Sequence, residues 1–177
     1  MTQSGSLGVA QQVALVALRF GIGWHLFYEG WGKLTAVRWT ARGYLAGATG
    51  PLAPWFRALA EQPFWLQVID RAVIWGLIVL GVLLMIGLFT RAAALLASVQ
   101  LVSIYLAAPP WPAHGFAPLT PMASELYVNK IVIEVLALAV CIAFDTGRLS
   151  GLDLLVPRWA WRRRGARVAG SPAEVSR

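Results

Sequence analysis

Four ionisable side chains, Arg19, His25, Glu29 and Lys33, interrupt the first long apolar run of the chain. At ~100° per residue they share an arc of roughly 120° on a helix, with apolar residues over the rest of the turn. A second set, Tyr127, Lys130, Glu134 and Cys141, falls within an arc of roughly 60° along the last apolar run. An imidazole that titrates near neutral pH, two carboxylates and flanking cations can exchange protons and donate charge-assisted hydrogen bonds. Such groups cost roughly 2.5 kcal/mol or more each in hydrocarbon, so they are expected to face protein, water or a ligand. A purely structural salt-bridge seam would use the same residue types.

The elements that must position these groups follow from composition. Of 177 residues, 58% are hydrophobic and 13% charged, and the mean hydropathy is +0.65, which excludes an ordinary soluble globule. Apolar runs over 9–34, 72–89, 92–108 and 126–144 each approach the ~20 residues that cross a bilayer. The expected fold is all-α, a transmembrane four-helix bundle forming one domain over 1–156, followed by a basic polar tail over 157–177. The N-terminus has no basic n-region or cleavage site, so no removable signal peptide is expected. Partners implied are membrane lipid and a redox subunit or second copy of the chain. Nucleic acid is not expected despite the net charge of +7, because Arg158, Arg162, Arg163, Arg164 and Arg167 cluster just after the last span, where they suit anionic headgroups. With Arg91 and Arg148 they favour a multi-pass protein of the cytoplasmic (inner) membrane with both termini inside; Lys33, Arg38, Arg42, Arg57 and Arg71 weigh against that orientation.

The insertion over 35–71 is too aromatic to be a disordered linker, with Trp39, Tyr44, Trp55, Phe56, Phe64 and Trp65 suited to the headgroup level. Two short interfacial helices are expected around Gly50-Pro51, with Pro54 in the first turn of the second, acting as a cap over the bundle mouth or as a surface anchor. Gly87–Arg91 predicts a tight antiparallel hairpin. Gln100, with Ser98 and Ser103, is expected to hydrogen-bond between helices or to touch a bound headgroup. The loop over 109–125 holds His114 and too many prolines for a regular helix. Gly21, Gly23, Gly30 and Gly32 are expected to allow close helix contact.

If the first and last spans are antiparallel neighbours, counting ~1.5 Å per residue sets Glu29 level with Lys130 and His25 level with Glu134, with Lys33 near the surface and Arg19 deeper. An apolar slot roofed by aromatics, with donors and a proton-exchanging pair at one end, has the parts of a quinone site. On that reading His25 and Glu134 exchange protons, while Arg19, Glu29, Lys33, Gln100 and Lys130 bind the ligand or balance charge. A small transporter or proton-conducting bundle, or a non-catalytic anchor or assembly partner, would draw on the same residues. Haem, metal and iron–sulfur sites are not expected: the two histidines do not pair, and the single Cys141 has no thiol partner in the chain.

Several segments together carry a resemblance. Leu18-Arg19-Phe20-Gly21 and Glu29-Gly30-Trp31-Gly32-Lys33 are similar to the first span of DoxX and DoxD family membrane proteins. So are Gly43-Tyr44-Leu45, Gly50 through Phe56, Gly87 through Arg91, Asn129 through Glu134 and Gly147 through Asp153. The resemblance implies a four-helix membrane protein with quinone contact and partner subunits, of the kind described as the small subunit of a thiosulfate:quinone oxidoreductase. Apart from Cys141, no residue is suited to a sulfur-transfer intermediate.

Overall fold

The computed structural model describes residues 8–109 and 128–154. His114, Tyr127 and the basic tail lie outside the described residues. The order is α1 (Val9–Thr35), α2 (Arg42–Ala46), α3 (Ala53–Glu61), α4 (Pro63–Ile86), α5 (Thr90–Ala107) and α6 (Lys130–Ala143), then 3-10 turns at Thr146–Arg148 and Leu152–Leu154. The described residues are all-helical.

Four runs are read as spans in the sequence, and α4 and α5 are the two described helices long and apolar enough to cross a membrane. Only 22% and 33% of their most apolar windows are buried within the chain. Apolar helices this exposed need hydrocarbon around them, because in water each would present a large unpaired apolar face. The helix α1 has the length but carries the ionisable residues Arg19, His25, Glu29 and Lys33, and α6 is 14 residues long. Contacts run from α1 to α4, α4 to α5, α5 to α6 and α6 back to α1.

Glycine sets the spacing of α1 on α4. A Cβ at Gly23 would lie 2.8 Å from the Gly81 carbonyl, one at Gly81 would lie 2.6 Å from the Phe27 nitrogen, and one at Gly30 would lie 2.9 Å from the Ile78 nitrogen. The two backbones therefore pack directly on one another and run antiparallel. Gly21 and Gly32 have no such neighbours, so two of the four glycines expected at helix contacts serve there. The core beneath them is Leu26, Leu77, Leu80, Leu84, Leu101 and Leu138, with Ala93, Ala94 and Ala97 keeping α5 close.

The hairpin between α4 and α5 turns on Gly87, which is left-handed with φ 69, and Leu88 N–H donates to Leu83 O at 3.0 Å as α4 ends. The first turn of α5 is capped from far along the chain. Asp153 accepts from Phe89 N at 2.6 Å and from Thr90 N at 2.9 Å, and its own N–H donates to Gly87 O at 2.9 Å. The carboxylate satisfies orphan donors and favours the positive end of the helix.

The insertion forms α2 and α3 on either side of Gly50-Pro51, with Pro54 in the first turn of α3. The helix α4 begins at Pro63, nine residues before the expected 72, so Gln67, Asp70 and Arg71 extend the span rather than belong to a loop. Ala41, Leu45, Ala48, Phe56, Ala60 and Ala107 make a second small core that seats the insertion on the ends of α4 and α5. Thr49 and Gly50 N–H both donate to Ala107 O, at 3.0 and 3.1 Å, and a Cβ at Gly50 would collide with the Leu106 carbonyl.

Candidate functional site

One polar seam crosses from α1 to α6. His25, Glu29 and Lys33 recur at i, i+4 and i+8, so they climb one face of α1 in steps of ~6 Å. Lys130 and Glu134 descend α6 with the same spacing, and Asn129 starts that helix by accepting from Val132 N at 3.2 Å through its side chain. The antiparallel pairing matches base with acid twice. Lys130 Nζ donates to Glu29 Oε1 at 2.7 Å, and His25 Nε2 lies 3.0 Å from Glu134 Oε1. Lys33 donates to the other oxygen of Glu29, and its ammonium sits 5.9 Å from the centre of the Trp39 ring.

Glu134, with 10% of its side chain exposed, is the most buried member of the seam, against 22% for Lys33, 33% for Glu29, 42% for His25 and 59% for Lys130. His25 Nε2 also approaches Glu29 Oε1, at 4.0 Å. Although buried, Nε2 makes no directed hydrogen bond to either carboxylate, so the 3.0 Å approach to Glu134 is a close contact without linear geometry.

These groups line one end of a cavity of about 860 Å³. Its remaining wall is mostly apolar, from Leu26 on α1, Ile69, Val73 and Leu77 on α4 and Leu96, Val99 and Ile104 on α5. Trp39, Tyr44, Trp55 and Phe56 of the insertion also line it, which makes the insertion a cap in contact with the cavity. Tyr44 ties that cap to α5, its hydroxyl donating to Ile104 O at 2.7 Å, and Ala41 N–H donates to Asp70 Oδ1 at 2.7 Å. Trp39 and Tyr44 stand out in the sequence as interfacial rings; the contact of Trp39 with Lys33 and the place of Tyr44 in the cavity wall depend on the path of the insertion.

Gln100 makes the interhelical hydrogen bond expected of it and also faces the cavity. Its Nε2 donates to Val73 O on α4 at 3.1 Å, and its side chain lines the cavity with Ser103. Gly76 leaves the room, since a Cβ there would lie 2.5 Å from Gln100 Oε1.

Arg19 is not part of this arrangement. Expected to share the ligand site, it is 2% exposed at the opposite end of the helices, where it donates to Thr146 O at 2.6 Å and to Ser150 O. Its Nε is buried without a partner among the described residues. The guanidinium therefore ties the turn after α6 to α1, lies beside the hairpin glycine Gly87, where a Cβ would come within 3.0 Å of it, and is not among the residues lining the cavity. Cys141 is fully buried nearby, as a small packing residue would be. Asp145 at this end lies 3.4 Å from Arg91 and 3.3 Å from Arg148.

A buried acid beside an imidazole, at the polar end of an otherwise apolar cavity, can hold a ligand with a polar head and an apolar body and can take up or release a proton at that head.

Comparison with protein families matches the DoxX family over residues 14–110. Comparison with curated proteins and with solved structures found no match. The matched span covers more than half of the chain and takes in most of α1, all of α2 through α5, the cap and the glycine-to-glycine contact of α1 with α4; Lys130 and Glu134 lie beyond it. With its exposed apolar helices α4 and α5, the chain belongs to the DoxX family, a family of membrane proteins.

Proposed function

We propose that the protein is a quinone-interacting subunit of a membrane redox complex, built as a four-helix bundle in the cytoplasmic membrane. The observation that carries this reading is the double acid–base contact between α1 and α6 at one end of an apolar cavity of about 860 Å³. That volume lies within the range of small-molecule sites, and the lining divides into a polar end and an apolar body as a quinone ring and its tail do. His25 and Glu134 are assigned proton exchange with the ring oxygens; Lys130, Lys33 and Gln100 supply donors, and Glu29 balances the two ammonium groups. Interconversion of quinol and quinone moves two protons and two electrons. The protons pass through the seam, and the electrons pass to or from a partner redox subunit, as in the small subunit of a thiosulfate:quinone oxidoreductase.

The proposed orientation has both termini and the α4–α5 hairpin in the cytoplasm and the cap outside. Supporting it, Arg91 and Arg148 converge on Asp145 at the end opposite the cap.

The test is a binding titration of the purified full chain with a short-tailed quinone analogue. His25→Ala and Glu134→Gln should each weaken binding at least tenfold. Unchanged affinity in both variants removes the seam as the site.

A further inference from the structure

From the same seam we infer that the His25–Glu134 pair exchanges protons with one face of the membrane only, the face covered by α2 and α3, so that the protein is a half-channel rather than a conduit. This rests on the packing around the seam and not on what fills the cavity.

On the cap side the groups form a ladder. Glu134 contacts His25, His25 approaches Glu29 at 4.0 Å, and Glu29 binds both Lys33 and Lys130, of which Lys130 is 59% exposed. Among the described residues the other titratable side chain at the cavity is Tyr44 on α2. Toward the cavity α3, α4 and α5 present neutral side chains, Gln100 and Ser103 being the polar ones from α5. Every rung thus lies between Glu134 and the cap.

Beyond Glu134 the ladder stops among the described residues. The next inward turns of α6 bring Leu138 and Cys141, both fully buried. Leu84 of α4, 0% exposed, packs on this side of the pair in one core with Leu138 and with Ala93 of α5. Seven residues separate Glu134 from Cys141, roughly 10 Å of helix without a titratable side chain that could relay a proton. The next charged group on α1 is Arg19, roughly 9 Å along the axis from His25. Its guanidinium is occupied by the carbonyls of Thr146 and Ser150, and an arginine does not deprotonate to relay a proton. A close-packed leucine layer of this thickness is a barrier to charge.

The experiment uses the full chain in sealed membrane vesicles of both orientations and a charged, membrane-impermeant thiol reagent. Cys141 is the native cysteine and serves as the internal control. His25→Cys is expected to label from the cap face alone, while Leu138→Cys and native Cys141 label from neither face. In parallel, proteoliposomes of the unsubstituted protein under an imposed pH gradient are expected to leak protons no faster than empty liposomes. Labelling of Leu138→Cys or Cys141 from the far face overturns the inference, as does His25→Cys that labels from the far face or from neither. Proton flux above the empty-liposome rate also overturns it, and that measurement decides the matter if the cysteine variants fail to fold. Loss of quinone binding alone would sink the redox reading and leave this one intact.

Discussion

His25 and Glu134, 109 residues apart in sequence, meet at 3.0 Å across the α1–α6 interface, and one turn outward Glu29 and Lys130 meet at 2.7 Å. Both contacts follow from one condition: antiparallel helices with ionisable residues every fourth position must be in register for each base to find an acid. A shift of one residue would leave a carboxylate beside apolar side chains, which the low-dielectric surroundings penalise heavily.

That register predicts measurable coupling. Glu29→Gln and Lys130→Met, alone and together, should give a non-additive loss of thermal stability in detergent. A coupling of roughly 0.5–1 kcal/mol is expected, since both groups are partly exposed. Strict additivity would mean that the contact does not form.

Arg19 should act on stability rather than on ligand binding. Arg19→Met leaves the Thr146 and Ser150 carbonyls without their charged donor, at a cost of about 3 kcal/mol by thermal or denaturant unfolding. Arg19→Lys should fall between, because an ammonium cannot reproduce the forked geometry. A quinone analogue should bind Arg19→Lys with its native affinity.

The glycines offer a matched pair. Gly81→Val forces a side chain into the Phe27 and Gly23 backbone and should destabilise by roughly 1–3 kcal/mol, whereas Gly21→Ala meets open space and should be neutral within about 0.5 kcal/mol. Comparing their unfolding midpoints separates helix contact from a general intolerance of change in α1 and α4.

Asp153 should be a distant helix cap. Asp153→Ala removes the acceptor of the Phe89 and Thr90 amides and should cost about 1–2 kcal/mol, with faster hydrogen exchange confined to the first turn of α5. Equal protection in the variant would assign those amides another partner.

The α1–α6 pairing was legible in the sequence because charge in an apolar helix has few tolerable orientations, and counting residues from the helix ends then gives depth. The same stripe misleads for Arg19. Angular position says which face a side chain takes, but its partners here are backbone carbonyls of a turn beyond α6, which leave no mark in side-chain chemistry. The start of α4 was hidden for a similar reason. Gln67, Asp70 and Arg71 read as loop residues, although Asp70 sits on a helix and receives the Ala41 amide from the cap. Asp153 as the cap of α5 lies more than sixty residues from its donors and follows no local pattern.

The most direct measurement of the central claim is photo-crosslinking of the purified full chain with an azido-quinone, the adducts being mapped by mass spectrometry. The seam and cap should carry the label, at His25 through Lys33, Trp39, Tyr44 or Lys130 through Glu134, and excess unlabelled quinone should abolish it. Label confined to the outward faces of α4 and α5, or label that unlabelled quinone does not displace, would contradict a quinone site at the α1–α6 seam.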